Sequence, residues 1–318
     1  LGNRRAETCG SRDATGLNPG HVWFVFAIIS PDPIVSGGAT YGETMRRIAS
    51  VLTITILSAL ALQAEEVPSR LQELATGDAT RGWEAVGRID LGHGSFCTGA
   101  LIAKDMVLTA AHCLYDQDSG ERIPISRIEF LAGWRNGRAE AYRGVRRAVT
   151  HPDYYYSVED GIKRVSVDLA LIQLDQPIRN PHITPFATRL SLKRGDEVGV
   201  VSYAQDRSEA PSLQQVCHVL EQAAGIVMLS CAVDFGASGA PIFAFGADGP
   251  QIVSVISAKA EADGERVALA SEMRRAFGDL QAAMEKTPND ILNRGTPSGT
   301  AFSDGRGQGR LGAKFLKP

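Results

Sequence analysis

No apolar run in this 318-residue chain reaches the roughly 20 residues that a membrane-spanning helix needs; the longest, 48–62, stops at 15. Charge of one sign is equally scarce. Lys and Arg number 33 against 36 Asp and Glu, a formal net charge of -3, which leaves no electrostatic footprint for nucleic acid. No His or Cys pair has H-x-x-x-H or C-x-x-C spacing, so neither a metal nor another cofactor is expected. No repeat of 20 to 50 residues is present, which argues against a solenoid or propeller. With 44% hydrophobic and 22% charged residues, 33 Gly and 15 Pro, the composition also excludes a collagen-like, wholly disordered or polytopic membrane protein.

What is present begins with an address. Residues 1–44 start without Met and show no steady apolar period, and they are expected to be a non-native upstream extension. Met45, Arg46 and Arg47 then precede the apolar segment 48–62, with small residues at Ala59, Ala61 and Ala64. That order, charged then apolar then small, marks 45–64 as a secretory signal peptide; the alternative of a membrane anchor suffers from the short apolar run. Of the five cysteines, removal of the leader discards only Cys9, and the remaining four suit an oxidising compartment.

Residues 65–81 are polar, with a weak helical pattern in Leu71 and Leu74, and read as a leader or pro-segment. Beyond Trp83 the texture changes to short apolar runs punctuated by Gly, Asp and Asn, at 85–91, 100–108, 128–132, 169–174, 197–204, 226–233, 241–245, 252–258 and 266–270. Strands at this spacing predict an all-β barrel pair or sandwich. Met273, Phe277, Leu280 and Met284 recur at helical spacing and predict a C-terminal helix over 272–286. The Gly-rich tail, 287–318, cannot bury enough apolar surface to offset its ordering entropy and is expected to be flexible.

Three local patterns carry chemistry: L-T-A-A-H-C at 108–113, V-D-L-A-L-I-Q-L at 167–174 and G-A-S-G-A-P at 236–241. Singly, each has an ordinary structural explanation: a His beside a disulfide cysteine, an Asp capping a turn, a Gly-rich bend. Together they supply a base, an acid and a hydroxyl in the order His112, Asp168, Ser238. With F-C-T-G-A-L-I at 96–102 and H-P-D-Y at 151–154, the chain resembles the chymotrypsin-trypsin family of serine proteases from about Trp83 to Ala270.

The resemblance implies two packed antiparallel six-stranded β-barrels, at about 82–177 and 178–270, with a short C-terminal helix, so that 82–286 forms the protease domain. It implies that His112 is the general base, that Asp168 orients it, and that Ser238 attacks the scissile carbonyl, with the N–H groups of Gly236 and Ser238 as oxyanion hole. It pairs Cys97 with Cys113, which leaves Cys217 for Cys231. The other histidines, His21, His93, His151, His182 and His218, lie in no context similar to the base motif and are read as surface or structural residues. The implied partner is a polypeptide substrate, met by a secreted or periplasmic monomer with no nucleic acid and, once mature, no membrane.

The chain departs from the family in one correlated way. Ala237 stands where animal members carry the Asp that pairs with a freshly cut I-V-G-G terminus, and no I-V-G-G precedes Gly82. An enzyme that does not use that switch is expected; a catalytically inactive, protease-like binding module is the alternative. For specificity, the resemblance puts Ala232 at the base of the side-chain pocket and Ser254, in I-V-S at 252–254, on the substrate-pairing segment. Val255 then replaces the family Trp, and Ile256 stands where a small residue often admits large side chains, so that with Ala232 an apolar, shallow pocket is expected.

Overall fold

The computed structural model describes residues 69–157 and 161–287, together with the backbone of a strand at Ala313–Phe315. The upstream extension, the signal peptide and the start of the leader lie outside the described residues. After a two-residue strand β1 (Gln72–Glu73), the apolar runs become β2 (Val86–Asp90), β3 (Phe96–Ala103), β4 (Met106–Thr109), β5 (Glu129–Ala132), β6 (Ala141–Thr150) and β7 (Ala170–Leu174). Every pairing among β2 to β7 is antiparallel, and the order β2-β3-β4-β7-β6-β5 closes on itself through β2 and β5. Full closure leaves this barrel no unpaired edge.

The second half contributes β8 (Glu197–Ala204), β9 (Arg207–Ala223), β10 (Ile226–Leu229), β11 (Pro241–Gly246), β12 (Gly249–Ala262) and β13 (Glu265–Ser271). Its order β9-β10-β13-β12-β11-β8 is also a ring, closed by the pairing of β8 with β9. The all-β double barrel inferred from the sequence is therefore the architecture observed. Among the described residues two α-helices accompany it, α1 (Gly161–Ser166) and α2 (Met273–Lys286), and no helix is long and apolar enough to cross a membrane.

Two segments differ from expectation. The stretch from Ser69 to Arg81 forms no helix around Leu71 and Leu74: β1 adds to β9, and Leu74 is 2% exposed in the main hydrophobic core. Its apolar residue finds more buried surface against the second barrel than an isolated turn of helix could offer. The tail also needs amending at Ala313–Phe315, which forms strand β14 along Ala260–Ala262 of β12, where an open edge offers unpaired backbone groups.

Between the barrels, Trp83, Phe186 and Phe243 form an aromatic cluster, with ring centroids 5.1 Å apart for Trp83–Phe243 and 4.7 Å for Phe186–Phe243, both edge-on. Edge-to-face contacts at these separations contribute about 0.5–1.5 kcal/mol beyond area burial. Helix α2 turns Met273, Ala276, Phe277, Leu280 and Met284 inward and packs against β6 and β7, so that the last helix of the domain covers the first barrel.

His151 lies in this region, 3% exposed, where its Nδ1 accepts the N–H of Asp153 at 3.1 Å and its Nε2 is 3.8 Å from Asp279 on α2. Burial pushes its pKa below the ordinary value, against smaller opposing effects from Asp153 and Asp279. The unfolded chain takes up that proton near pH 6.5, before the folded one does. Stability from the neutral imidazole is therefore present above about pH 6.5 and is lost as pH falls from there towards the depressed folded value. Thermal melts at pH 7.5 and 5.5 should show a larger loss for the wild type than for His151→Asn; equal losses would assign the acid sensitivity elsewhere.

Candidate active site

His112 sits in a single 3₁₀ turn, Ala111–Leu114, directly after β4. Ala110 and Ala111 are fully buried, and the small side chains let this turn lie flat on the barrel. The next residue, Cys113, is bonded to Cys97 on β3, with Cα atoms 6.1 Å apart, and this pins the turn. Asp168 heads β7 from the end of α1 and is 2% exposed.

A buried carboxylate is costly unless its lone pairs are filled. Asp168 receives three donors: the His112 backbone N–H at 2.8 Å, the His112 Nδ1–H at 2.7 Å and the hydroxyl of Ser257. Because the carboxylate only accepts, the imidazole proton is fixed on Nδ1 and Nε2 keeps its lone pair. His112, Asp168 and Ser238 line one cleft of about 270 Å³.

Ser238 lies on the loop between β10 and β11. Its backbone carbonyl accepts the Thr98 N–H at 2.9 Å, and the Thr98 hydroxyl donates to the Gly236 carbonyl at 2.9 Å. Phe235 offers its carbonyl to the Gln205 N–H at 2.8 Å. In a trans peptide the next N–H, that of Gly236, points the opposite way. Among the described residues no protein acceptor takes the N–H of Gly236 or of Ser238. Gly236 has φ +96°, and a Cβ there would stand 2.6 Å from the Phe96 ring; at Gly239 a Cβ would come within 2.0 Å of the Thr109 hydroxyl. Both positions require glycine, which explains the spacing of the motif around Ser238.

Two sequence-derived pocket residues need correction. Ala232 is solvent-exposed and outside the cleft lining, which on this side starts at Val233; its N–H is taken by Gln214 Oε1 at 2.7 Å. Ser254 is fully buried and bonds the Ser271 carbonyl, away from the cleft. Residues 252–257 read I-V-S-V-I-S, two apolar pairs each followed by Ser, so the family-like tripeptide occurs twice in one strand. Both serines are buried, and it is Ser257, at the bulge where the register with β13 shifts between Ile256 and Ala258, that meets Asp168. The cleft is also less apolar than expected. Lys259 pairs with Asp234 at 2.9 Å and lies 3.4 Å from the Phe235 ring centroid, and its hydrogen bond holds the Asp234 carboxyl below the usual range. Arg164 and Gln117 complete the polar lining beside Val233 and Ile256.

The remaining bridge, Cys217–Cys231, ties β9 to the end of β10. Among the described residues, the one close group of three possible metal ligands is Cys97, His112 and Cys113, and its two sulfurs are joined to each other, so neither is a thiolate.

Paired six-stranded barrels, with an imidazole–carboxylate pair and a serine on one cleft, define the class of double-barrel serine hydrolases. Comparison with known proteins narrows this. The sequence profile of the trypsin family matches residues 76–272. Coagulation factor IX of Cavia porcellus is 32% identical over 92 residues, covering 29% of this chain and 30% of that protein. The modular serine protease of Drosophila melanogaster is 37% identical over 95 residues, 27% of this chain and 14% of that protein. The alignments thus span less than a third of either curated relative. A solved structure of a Glu endopeptidase in complex with MPD is similar in fold, with TM-score 0.55 at 18% identity, covering 70% of this chain and 99% of that one. The chain belongs to the trypsin family.

Proposed function

We propose that the protein is a secreted serine endopeptidase that hydrolyses peptide bonds through an acyl-enzyme. The observation that carries this reading is the His112 imidazole, held by Asp168 in the one tautomer that leaves Nε2 basic, on the cleft that also holds Ser238. In this reading Ser238 Oγ bonds to the scissile carbonyl carbon while its proton passes to His112 Nε2. The developing oxyanion is met by the N–H groups of Gly236 and Ser238. The C–N bond then breaks, the leaving amine takes the proton from Nε2, and water repeats the sequence in reverse to release the acid. Asp168 stays ionised throughout and stabilises the imidazolium, and Ser257 steadies the carboxylate.

The substrate is a polypeptide, and the enzyme acts as a monomer with no nucleic-acid partner. Export by the signal peptide 45–64 accords with the two disulfides of the folded domain, which persist in oxidising compartments. A serine-directed phosphonate tests the proposal: the folded protein should be labelled stoichiometrically on Ser238, and Ser238→Ala should not be labelled. Folded wild type that takes up no label would favour the binding-module alternative.

A further inference from the structure

The loop that carries Ser238 lacks the support on which animal members of the family rely. Ala237 is fully buried and has no carboxylate with which to receive an inserted terminus. Something else must hold residues 231–238 in order, because oxyanion donors act only when they are already in place.

The strap before the first barrel reaches this loop through one side chain. Ser69 docks on β9 with its N–H donating to the Val216 carbonyl at 2.9 Å, while its Oγ accepts the Val216 N–H at 2.8 Å. β1 continues the contact opposite Leu213 and Ser212, and the Leu74 N–H donates to Pro211. Gln214, between these anchor points, is 2% exposed. Its Nε2 donates to the Ser69 carbonyl at 2.9 Å and its Oε1 accepts the Ala232 N–H at 2.7 Å. A carbonyl on one side and an N–H on the other fix the orientation of the amide. Ala232 adjoins Cys231, and three residues along β9 from Gln214 the Cys217 bridge grips that cysteine. From there the loop runs to Phe235, Gly236 and Ser238, whose carbonyls are held by Gln205 and Thr98.

We propose that the segment Ser69 to Leu74 is an internal ordering strap, and that Gln214 is a positioning residue through which it sets the loop bearing the oxyanion N–H groups. The proposal rests on the endopeptidase reading above. It assigns to the segment 69–74 a lasting role in the active enzyme, in place of an inserted terminus, for which Ala237 offers no carboxylate. Gln214 does not touch substrate; it acts through Ala232.

The test uses full-chain protein and three substitutions. Gln214→Leu removes both hydrogen bonds. Gln214→Glu keeps an acceptor for Ala232 but sets a carboxylate oxygen against the Ser69 carbonyl. Ser69→Pro deletes the N–H and hydroxyl that dock the strap without altering Gln214 or the loop. Gln214→Leu should lower kcat by about 10- to 100-fold, part of what loss of a whole oxyanion donor costs, with KM for a short peptide changed much less. Binding of a peptide boronic acid, which places an oxyanion, should weaken by the same factor as kcat. Gln214→Glu should retain more activity than Gln214→Leu.

Amide hydrogen exchange gives a readout that does not need catalysis. In a Ser238→Ala background, Gln214→Leu and Ser69→Pro should each speed exchange of 232–237 by about tenfold or more, the mark of local opening. If Ser69→Pro loosens only 69–74 and β9, leaving 232–237 protected, the strap is not coupled to the loop and the proposal falls. It falls equally if folded Gln214→Leu keeps wild-type kcat and boronate affinity. Should Gln214→Leu fail to fold, Ser69→Pro and Gln214→Glu decide the matter by the same measurements. Wild-type protein that is inactive and unlabelled by phosphonate would instead overturn the endopeptidase reading, whereas exchange would still report on the strap.

Discussion

Replacing Ser238 by Ala is expected to lower kcat by several orders of magnitude, on the order of 10⁴-fold or more, leaving only what binding and the oxyanion N–H groups contribute. The fold should not suffer, because Ser238 is held through its backbone carbonyl, which alanine retains. His112→Ala should lose activity to a similar extent but also some stability. It removes the Nδ1–H that fills Asp168, and a buried acceptor left short of a donor costs about 1–3 kcal/mol. Active-site titration, turnover on a peptide substrate and thermal melts separate the two effects. Undiminished turnover in either folded variant would sink the assignment of roles.

The second large effect is expected at Asp168. Its two oxygens accept from the His112 backbone, the His112 ring and Ser257, and an asparagine of the same shape has only one acceptor oxygen to offer. If the amide NH₂ faces His112 Nδ1, the ring must move its proton to Nε2 and can no longer take one from Ser238. Asp168→Asn should therefore reduce kcat by about 10⁴-fold near neutral pH with little change in KM. Ser257→Ala, which leaves the carboxylate and both His112 bonds in place, should cost far less. An Asp168→Asn enzyme within tenfold of wild type would mean that the tautomer is set by another group.

How far the sequence could be read depended on how local the signal was. The contexts of His112, Asp168 and Ser238 each lie within a few residues, and the apolar runs around them became strands close to where the runs occur. β6 has no legible apolar run because Arg143, Arg146 and Arg147 break its pattern, and most of the 17-residue β9 has none because polar residues, the buried Ser212 and Gln214 among them, interrupt it. Ser257 and Gln214 take their meaning from partners 89 and 145 residues distant, Asp168 and Ser69, and no spacing rule connects them. The misplaced Ser254 has a narrower cause: two similar tripeptides in one strand, told apart only by their partners in the folded chain, the Ser271 carbonyl for Ser254 and Asp168 for Ser257.

The placement of α2 bears on the order of events during synthesis. The helix follows both barrels in the chain, yet its apolar face shares a core with β6 and β7 of the first. Strands β2 to β7 can all have left the ribosome while the surface under Phe277, Leu280 and Met284 is still uncovered. The first barrel thus stays incomplete until nearly the whole domain has been made, and its assembly depends on contacts more than 100 residues apart in sequence, which tend to slow folding. The enzyme's N-terminal half is, in this respect, finished by its C-terminal end.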